Sequence, residues 1–201
     1  MKREEKFTKD WLHHYSDSPP VSHWFKWAYP DNWFRIHSLP QSKRYPDNDN
    51  EWKILLKRQN EIITDMFGLD TNVYLVSSDA DREFKTLSVL HYGNGEMYQF
   101  IHIGEIDLYK LDVEYYRDEY IYDKHTFKPV FAEIVWRPYL HDNLLKEIAN
   151  GNTRVFLVSF DKEIIIAPYD GGIDFIVKEE RTKDIYKTRY KEWLSNRADG
   201  L

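Results

Sequence analysis

Between Trp33 and Tyr45 the chain reads WFRIHSLPQSKRY, which sets Arg35, His37, Ser38, Ser42, Lys43 and Arg44 between aromatic anchors. Guanidinium, ammonium, imidazole and hydroxyl groups are the donors that hold a phosphate or carboxylate, the guanidinium by a two-pronged fork. A second string, PYDGGID at residues 168–174, supplies Asp170 and Asp174. Such a carboxylate pair is a candidate for acid–base work, and Asp170 joins the donors of the 35–44 span as a candidate anion site. Each string also has a plain structural reading. The first is equally a loop that threads Ile36 and Leu39 into the core while its donors bind carbonyls and nearby acids. In the second, paired glycines permit positive φ and Asp170 can bond amides of the same bend, so turn chemistry accounts for it.

A third cluster differs in kind. Between Glu105 and Asp123 there are seven acids against Lys110 and Arg117, interleaved with tyrosines. Asp112, Glu114, Tyr115, Tyr116, Asp118, Glu119 and Tyr120 are candidates for a partner-binding surface, because tyrosine offers contact area at small entropic cost and clustered carboxylates steer a basic partner. The structural reading is a solvated edge or hairpin.

Common catalytic signatures are missing from the sequence: a glycine-rich phosphate loop, a GxSxG elbow and an HExxH pair. The Asp47–Arg58 span mimics a calcium loop, but Trp52 stands where glycine is required and Arg58 where a bidentate Glu is needed. Capping of a helix is the better account. The histidines are scattered, and the chain has no cysteine, so thiolate metal sites and disulfides are excluded. Neither a metal nor a cofactor is indicated.

The elements that must position these residues follow from apolar spacing. Asp47, Asn48 and Asp49 are cap residues, and Trp52, Leu55, Leu56, Ile62, Ile63, Met66 and Phe67 recur at three- and four-residue steps up to Gly68. This predicts an amphipathic helix over about 48–67, with Lys53, Lys57, Arg58 and Glu61 on its polar face. A middle helix is expected over about 139–149 and a C-terminal helix over about 182–194, the latter with Ile185, Tyr186, Arg189, Tyr190 and Trp193 on one stripe. Six runs, VYLVSS, MYQFIHI, FAEIVW, RVFLVSF, EIIIA and DFIVK, read as strands. Val155 to Val158 is apolar without alternation, which suggests a central strand covered on both sides. Asp161-Lys162 and Asp170-Gly171-Gly172 sit at hairpin spacing, so the last three strands should form a meander. Four of the seven tryptophans lie in the first 34 residues. Prolines interrupt that stretch, which predicts a short helix over about 6–15 and then an aromatic connecting segment packed on the sheet as a lid. The expected fold is α+β, mainly an antiparallel sheet with helices.

Composition bounds the function. The 201 residues are expected to form one domain, with an aromatic-rich segment over 1–34. A mean hydropathy of -0.69 and the absence of a long apolar run exclude a membrane protein of the helical kind. The formal net charge of -6 argues against broad nucleic-acid binding. With no secretory signal legible at MKREEKFTKDW, the expected location is the cytoplasm.

The blocks WFRIHSLPQSKRY, PYDGGID and YKEWLSNRADGL together resemble a bacterial family of unknown function, over roughly residues 33–76 and 130–201. In that family's pattern a His often precedes the proline of PYDGG and a Pro stands in the tail; here Ala167 and Ala198 occupy those places. The resemblance implies no reaction. Small acidic proteins of this type are also similar in character to toxin-neutralising immunity proteins. The favoured reading is therefore a protein-binding module, immunity-like, that neutralises a basic partner through its acidic tyrosine-rich surface, and not an enzyme. The alternative is an enzyme or binder acting on a small phosphate- or carboxylate-bearing ligand at the RIHSLPQSKRY span. Convergence of Arg35, His37, Lys43, Arg44 and Asp170 around one concave pocket would favour the alternative.

Overall fold

The computed structural model describes residues 1–77, 88–92, 96–107 and 126–197. Among the described residues there are five α-helices: α1 (Arg3–His14), α2 (Phe25–Ala28), α3 (Asp49–Phe67), α4 (Asp142–Ala149) and α5 (Glu180–Arg189). The strands are β1 (Trp33–His37), β2 (Thr71–Ser77), β3 (Ser88–Tyr92), β4 (Glu96–His102), β5 (Ile106–Asp107), β6 (Thr126–Phe127), β7 (Val130–Trp136), β8 (Val155–Ser159), β9 (Ile164–Pro168) and β10 (Gly172–Val177). Eight of them form one sheet in the order β1-β10-β9-β8-β2-β7-β4-β3, and β5 pairs separately with β6. Each described pairing is antiparallel. The fold is α+β, as the apolar spacing predicts.

The period-two pattern of the strands creates two apolar faces. Val73, Leu75, Ala132, Trp136, Val155, Leu157, Ile166, Ile173 and Phe175 face α3 and α4, whose Ile62, Ile63, Met66, Leu144 and Ile148 complete that core. Val76, Phe131, Phe156, Val158, Ile165 and Ile176 face the other way, onto Phe7, Trp11, Tyr15 and Phe25 of the N-terminal segment. Every residue of β8 is buried, because both faces of that central strand are covered. Phe7 stacks on Phe131 with ring centroids 4.7 Å apart. At roughly 1.5–3 kcal/mol per buried large side chain, rings of this kind make the N-terminal segment an integral layer on the sheet.

Helix α3 starts where the cap residues place it. The Asn48 side chain accepts from the Asn50 and Glu51 amides, and Gly68 ends the helix at φ 82°, a value in the left-handed region open to glycine. Three elements depart from the sequence reading. The segment from Trp33 is a strand over its first five residues and not a loop: β1 pairs with β10 along the register Trp33↔Ile176 to His37↔Gly172. The C-terminal helix closes at Arg189 and continues as a short 3-10 turn over Lys191–Trp193. Of its expected stripe, Tyr190 is buried and Tyr186 and Trp193 pack on the core, whereas Ile185 is exposed. The middle helix begins at Asp142, three residues late, because Tyr139 takes a positive φ of 68° that no α-helix accommodates.

Candidate functional site

The turn between β9 and β10 explains how one end of the sheet is shaped. Tyr169 N–H donates to the Gly172 carbonyl at 2.9 Å and closes the bend. Neither Gly171 nor Gly172 has a positive φ, so the glycine pair is required for a different reason from the one the turn reading supplies. A Cβ on Gly172 would lie 2.0 Å from the Ile36 carbonyl oxygen, and one on Gly171 would lie 2.8 Å from Tyr169 Cε2. The residues are glycines because the β1 backbone and the Tyr169 ring press against them.

Arg35 on β1 stands opposite Asp174 on β10. The guanidinium donates through Nε to Oδ1 at 2.5 Å and through Nη2 to Oδ2 at 2.8 Å, a two-pronged pair whose side chains are 15% and 11% exposed. Its guanidinium carbon sits 4.6 Å from the Tyr169 ring centroid and 5.4 Å from that of Trp33. Arg35 is thus held between two aromatic rings by a carboxylate. The burial of Tyr169 pushes its phenol well above the usual tyrosine range.

Past β1, Gln41 and Ser42 both have positive φ, 57° and 56°, and reverse the chain. Lys43 then reaches Asp47 at 2.7 Å, just before α3, and Glu51 at 2.6 Å in its first turn. Arg44 and Tyr45 instead reach the β9–β10 turn. Arg44 Nη2 pairs with Asp170 Oδ2 at 2.7 Å, and the Tyr45 hydroxyl donates to the same oxygen at 2.7 Å.

These groups meet at a concave cleft of ≈ 690 Å³. Arg35, Arg44, Asp170 and Asp174 line its β1 and β10 side, and Ala167, Pro168 and Tyr169 line its middle. From the side of β8 come Thr153 and Arg154, and from the N-terminal layer Ser22, His23 and Lys26. The Lys26 ammonium lies 4.6 Å over the Trp27 ring. His23 is half-buried, and burial, with Arg154 and Lys26 beside it, lowers its pKa to about 4. The imidazole is therefore neutral at physiological pH, in a positive local potential.

Of the sequence-predicted anion donors, the structure brings Arg35, Arg44 and Asp170 to the cleft. Lys43 belongs to the N-terminus of α3, and Ser42 is exposed in the left-handed turn. Ser38 is buried and its Oγ accepts from Gln59 Nε2 at 2.9 Å. His37 is buried, with no hydrogen bond of good geometry to either ring nitrogen among the described residues. Burial lowers its pKa, with the Gly171 carbonyl opposing and Arg35 and Arg58 reinforcing. Asp174 is engaged by Arg35 and Asp170 by Arg44. Sequence reasoning missed His23, Lys26, Thr153, Arg154 and Tyr169. The acidic candidates Asp112, Glu114, Tyr115, Tyr116, Asp118, Glu119 and Tyr120 lie outside the described residues. Among the described residues, no group of three or more His, Asp or Glu side chains is placed to hold a metal ion, and no helix is long and apolar enough to cross a membrane.

The fold and the site together define an α+β protein with a cation-lined cleft at one end of an antiparallel sheet. The chain belongs to the family described as a domain of unknown function (DUF3885), whose model matches residues 21–198. That match takes in every residue that lines the cleft. No curated protein and no solved structure matches the chain.

Proposed function

We propose that this chain binds a small anionic ligand, phosphate- or carboxylate-bearing, in the cleft between the N-terminal layer and the β8, β9, β10 and β1 ends. The observation that carries the reading is the charge of the lining: Lys26, Arg35, Arg44 and Arg154 against Asp170 and Asp174. Asp174 and Asp170 are held by Arg35 and Arg44, and four cationic side chains against two carboxylates leave the lining with a net positive charge. After burial, Arg154 and Lys26 also contribute to the lowered pKa of His23. A concave cleft with an excess of cationic donors is a surface on which an anion exchanges its hydration for charge-assisted hydrogen bonds.

The test is thermal unfolding with sodium phosphate, sulfate and citrate at constant ionic strength. Binding stabilises by RT ln(1 + [L]/Kd), about 2.7 kcal/mol at a hundredfold excess over Kd. The melting temperature should rise with at least one of these anions in the parent protein and not in the Lys26→Ala/Arg154→Ala variant. If none raises it at millimolar concentration, the reading fails.

A second reading is supported by sequence alone. The acidic, tyrosine-rich span that includes Asp112, Glu114, Tyr115, Tyr116, Asp118, Glu119 and Tyr120 has the composition of a surface for a basic protein, as in immunity-like neutralisation. Charge reversal at Glu114 and Asp118 should then slow association with such a partner, and unchanged association kinetics would remove the idea.

A further inference from the structure

We infer that Asp170 is a built-in competitor for the anion: it holds Arg44 and Tyr45 in a strap closed against the sheet, and a ligand gains Arg44 as that hold is released. The inference rests on the anion-binding reading and adds to it the residue that sets how tightly the cleft fills.

The strap, residues 40–46, is fastened at both ends and exposed between them. Leu39 before it is buried with Leu55 and Ala149, and just beyond it Asn48 caps α3. Gln41, Ser42, Arg44 and Tyr45 are exposed. Gln41 and Ser42 are consecutive and both left-handed, at φ 57° and 56°, a conformation that residues other than glycine keep where their surroundings enforce it. Two clasps do so here. Lys43 joins Asp47 and Glu51, which belong to the strap's own continuation into α3. Arg44 Nη2 and the Tyr45 hydroxyl instead end on one oxygen of the β9–β10 turn, Asp170 Oδ2, each at 2.7 Å. Among the described residues, no other hydrogen bond or ion pair ties a strap side chain to the sheet.

Asp170 presents to Arg44 the chemistry that a ligand would present. Carboxylate and phosphate meet a guanidinium by charge-assisted hydrogen bonds of the same kind. Arg44 and Asp170 both line the cleft, so an anion that bonded Arg44 while Asp170 stayed on Nη2 would set two negative charges against one guanidinium. Their repulsion makes the two alternatives compete. The Arg44 side chain is 63% exposed, and an exposed ion pair parts at small cost. While the strap is latched, the apparent affinity for an anion is lowered by the fraction of molecules in which Arg44 is released.

Amide exchange in the strap and isothermal titration with sulfate, on the parent protein and three variants, test the inference. Tyr45→Phe removes one of the two bonds to Asp170 without a change of charge. It should speed exchange of the amides of residues 41–45 about threefold and tighten sulfate by a similar factor, the worth of a modest hydrogen bond. Asp170→Asn should do both to a greater extent. Arg44→Gln should loosen the strap but weaken sulfate, because the group that the ligand would gain is itself lost. Tyr45 is 49% exposed, so its variant decides the matter even where Asp170→Asn fails to fold. Strap exchange unchanged in both Tyr45→Phe and Asp170→Asn, or a loosened strap with sulfate affinity unchanged or lowered in Tyr45→Phe, would overturn the inference and leave the anion site standing. Tighter sulfate binding in Asp170→Asn, with Tyr45→Phe like the parent, would reduce the effect to the charge of Asp170 and overturn it equally. Absence of sulfate binding by the parent and every variant would overturn both.

Discussion

Gly172 lies under the carbonyl of Ile36 so closely that a Cβ there would stand 2.0 Å from the oxygen. The contact joins β10 to β1 one residue before the pairing of Ile173 with Ile36 and two before that of Asp174 with Arg35. Because the obstacle is backbone, no side-chain rotation relieves it. Gly172→Ala must push β1 off the sheet edge, and it should destabilise the protein by about 2–3 kcal/mol, the cost of an overpacked interior site. Urea unfolding measures this. A destabilisation below about 0.5 kcal/mol, the usual range of a surface change, would mean that the two strands do not approach as described.

The Arg35–Asp174 pair gives a second prediction. Both side chains are mostly buried, so removing one partner strands the other in low dielectric. Arg35→Met alone should cost about 3–5 kcal/mol, whereas Arg35→Met with Asp174→Leu should recover most of that loss, since an apolar pair of similar volume is commonly neutral. A double-mutant cycle by chemical denaturation reads the coupling. Additive single effects would show that the two residues do not act as a pair.

How much of this could be read in the sequence depended on whether the signal was local. Helix α3 was legible because its caps and its apolar steps lie within one stretch, and β8 because an unbroken apolar run can only be covered on both sides. Strand β1 was not. Its inward residues are only Phe34 and Ile36, while its other face carries Trp33, Arg35 and His37, so alternation is masked by a charged residue whose partner, Asp174, lies far along the chain. The same holds for the cleft. Arg35, Arg44 and Asp170 were found through local clustering of donors and turn residues, but His23, Lys26 and Arg154 are unremarkable in their own neighbourhoods and meet only through the sheet order. Lys43 was misplaced among the anion donors, although Asp47 four residues on is at the spacing for a local pair.

Asn60 on α3 carries a third prediction. It is buried, its Nδ2 donates to the Leu56 carbonyl and to Asp142 Oδ1 at 2.8 Å each, and its Oδ1 accepts from the Tyr139 amide at 2.6 Å. One amide side chain thus fixes the left-handed Tyr139 and the first residue of α4. Asn60→Ala should cost about 2–3 kcal/mol by leaving a backbone amide and a carboxylate without that partner. It should also lower amide-exchange protection in α4 more than in β8. Equal loss of protection in both elements would show that Asn60 does not hold α4 locally.

The last prediction concerns pH. His23 has its pKa lowered from 6.5 to about 4, first by burial and then by Arg154 and Lys26, with Arg35, Arg44, Asp170 and Asp174 the other charges on the cleft. Between those two values the unfolded chain binds a proton at this residue that the folded chain does not, so stability must rise with pH across the window. Above pH 6.5 the ring is neutral in both states and contributes nothing; as pH falls towards 4 it costs on the order of 2 kcal/mol, after allowance for solvent screening of a half-buried ring. His37, also lowered, adds to the same slope and is left intact by His23→Gln. That variant should therefore lose part of the acid-side slope without losing stability at pH 7.5. Sulfate, which does not titrate in this range, should raise the His23 pKa when it occupies the cleft, because it cancels the potential of Lys26 and Arg154. Imidazole resonances followed by NMR with and without sulfate measure that rise directly, and a His23 titration unmoved by saturating sulfate would place the bound anion away from this wall of the cleft.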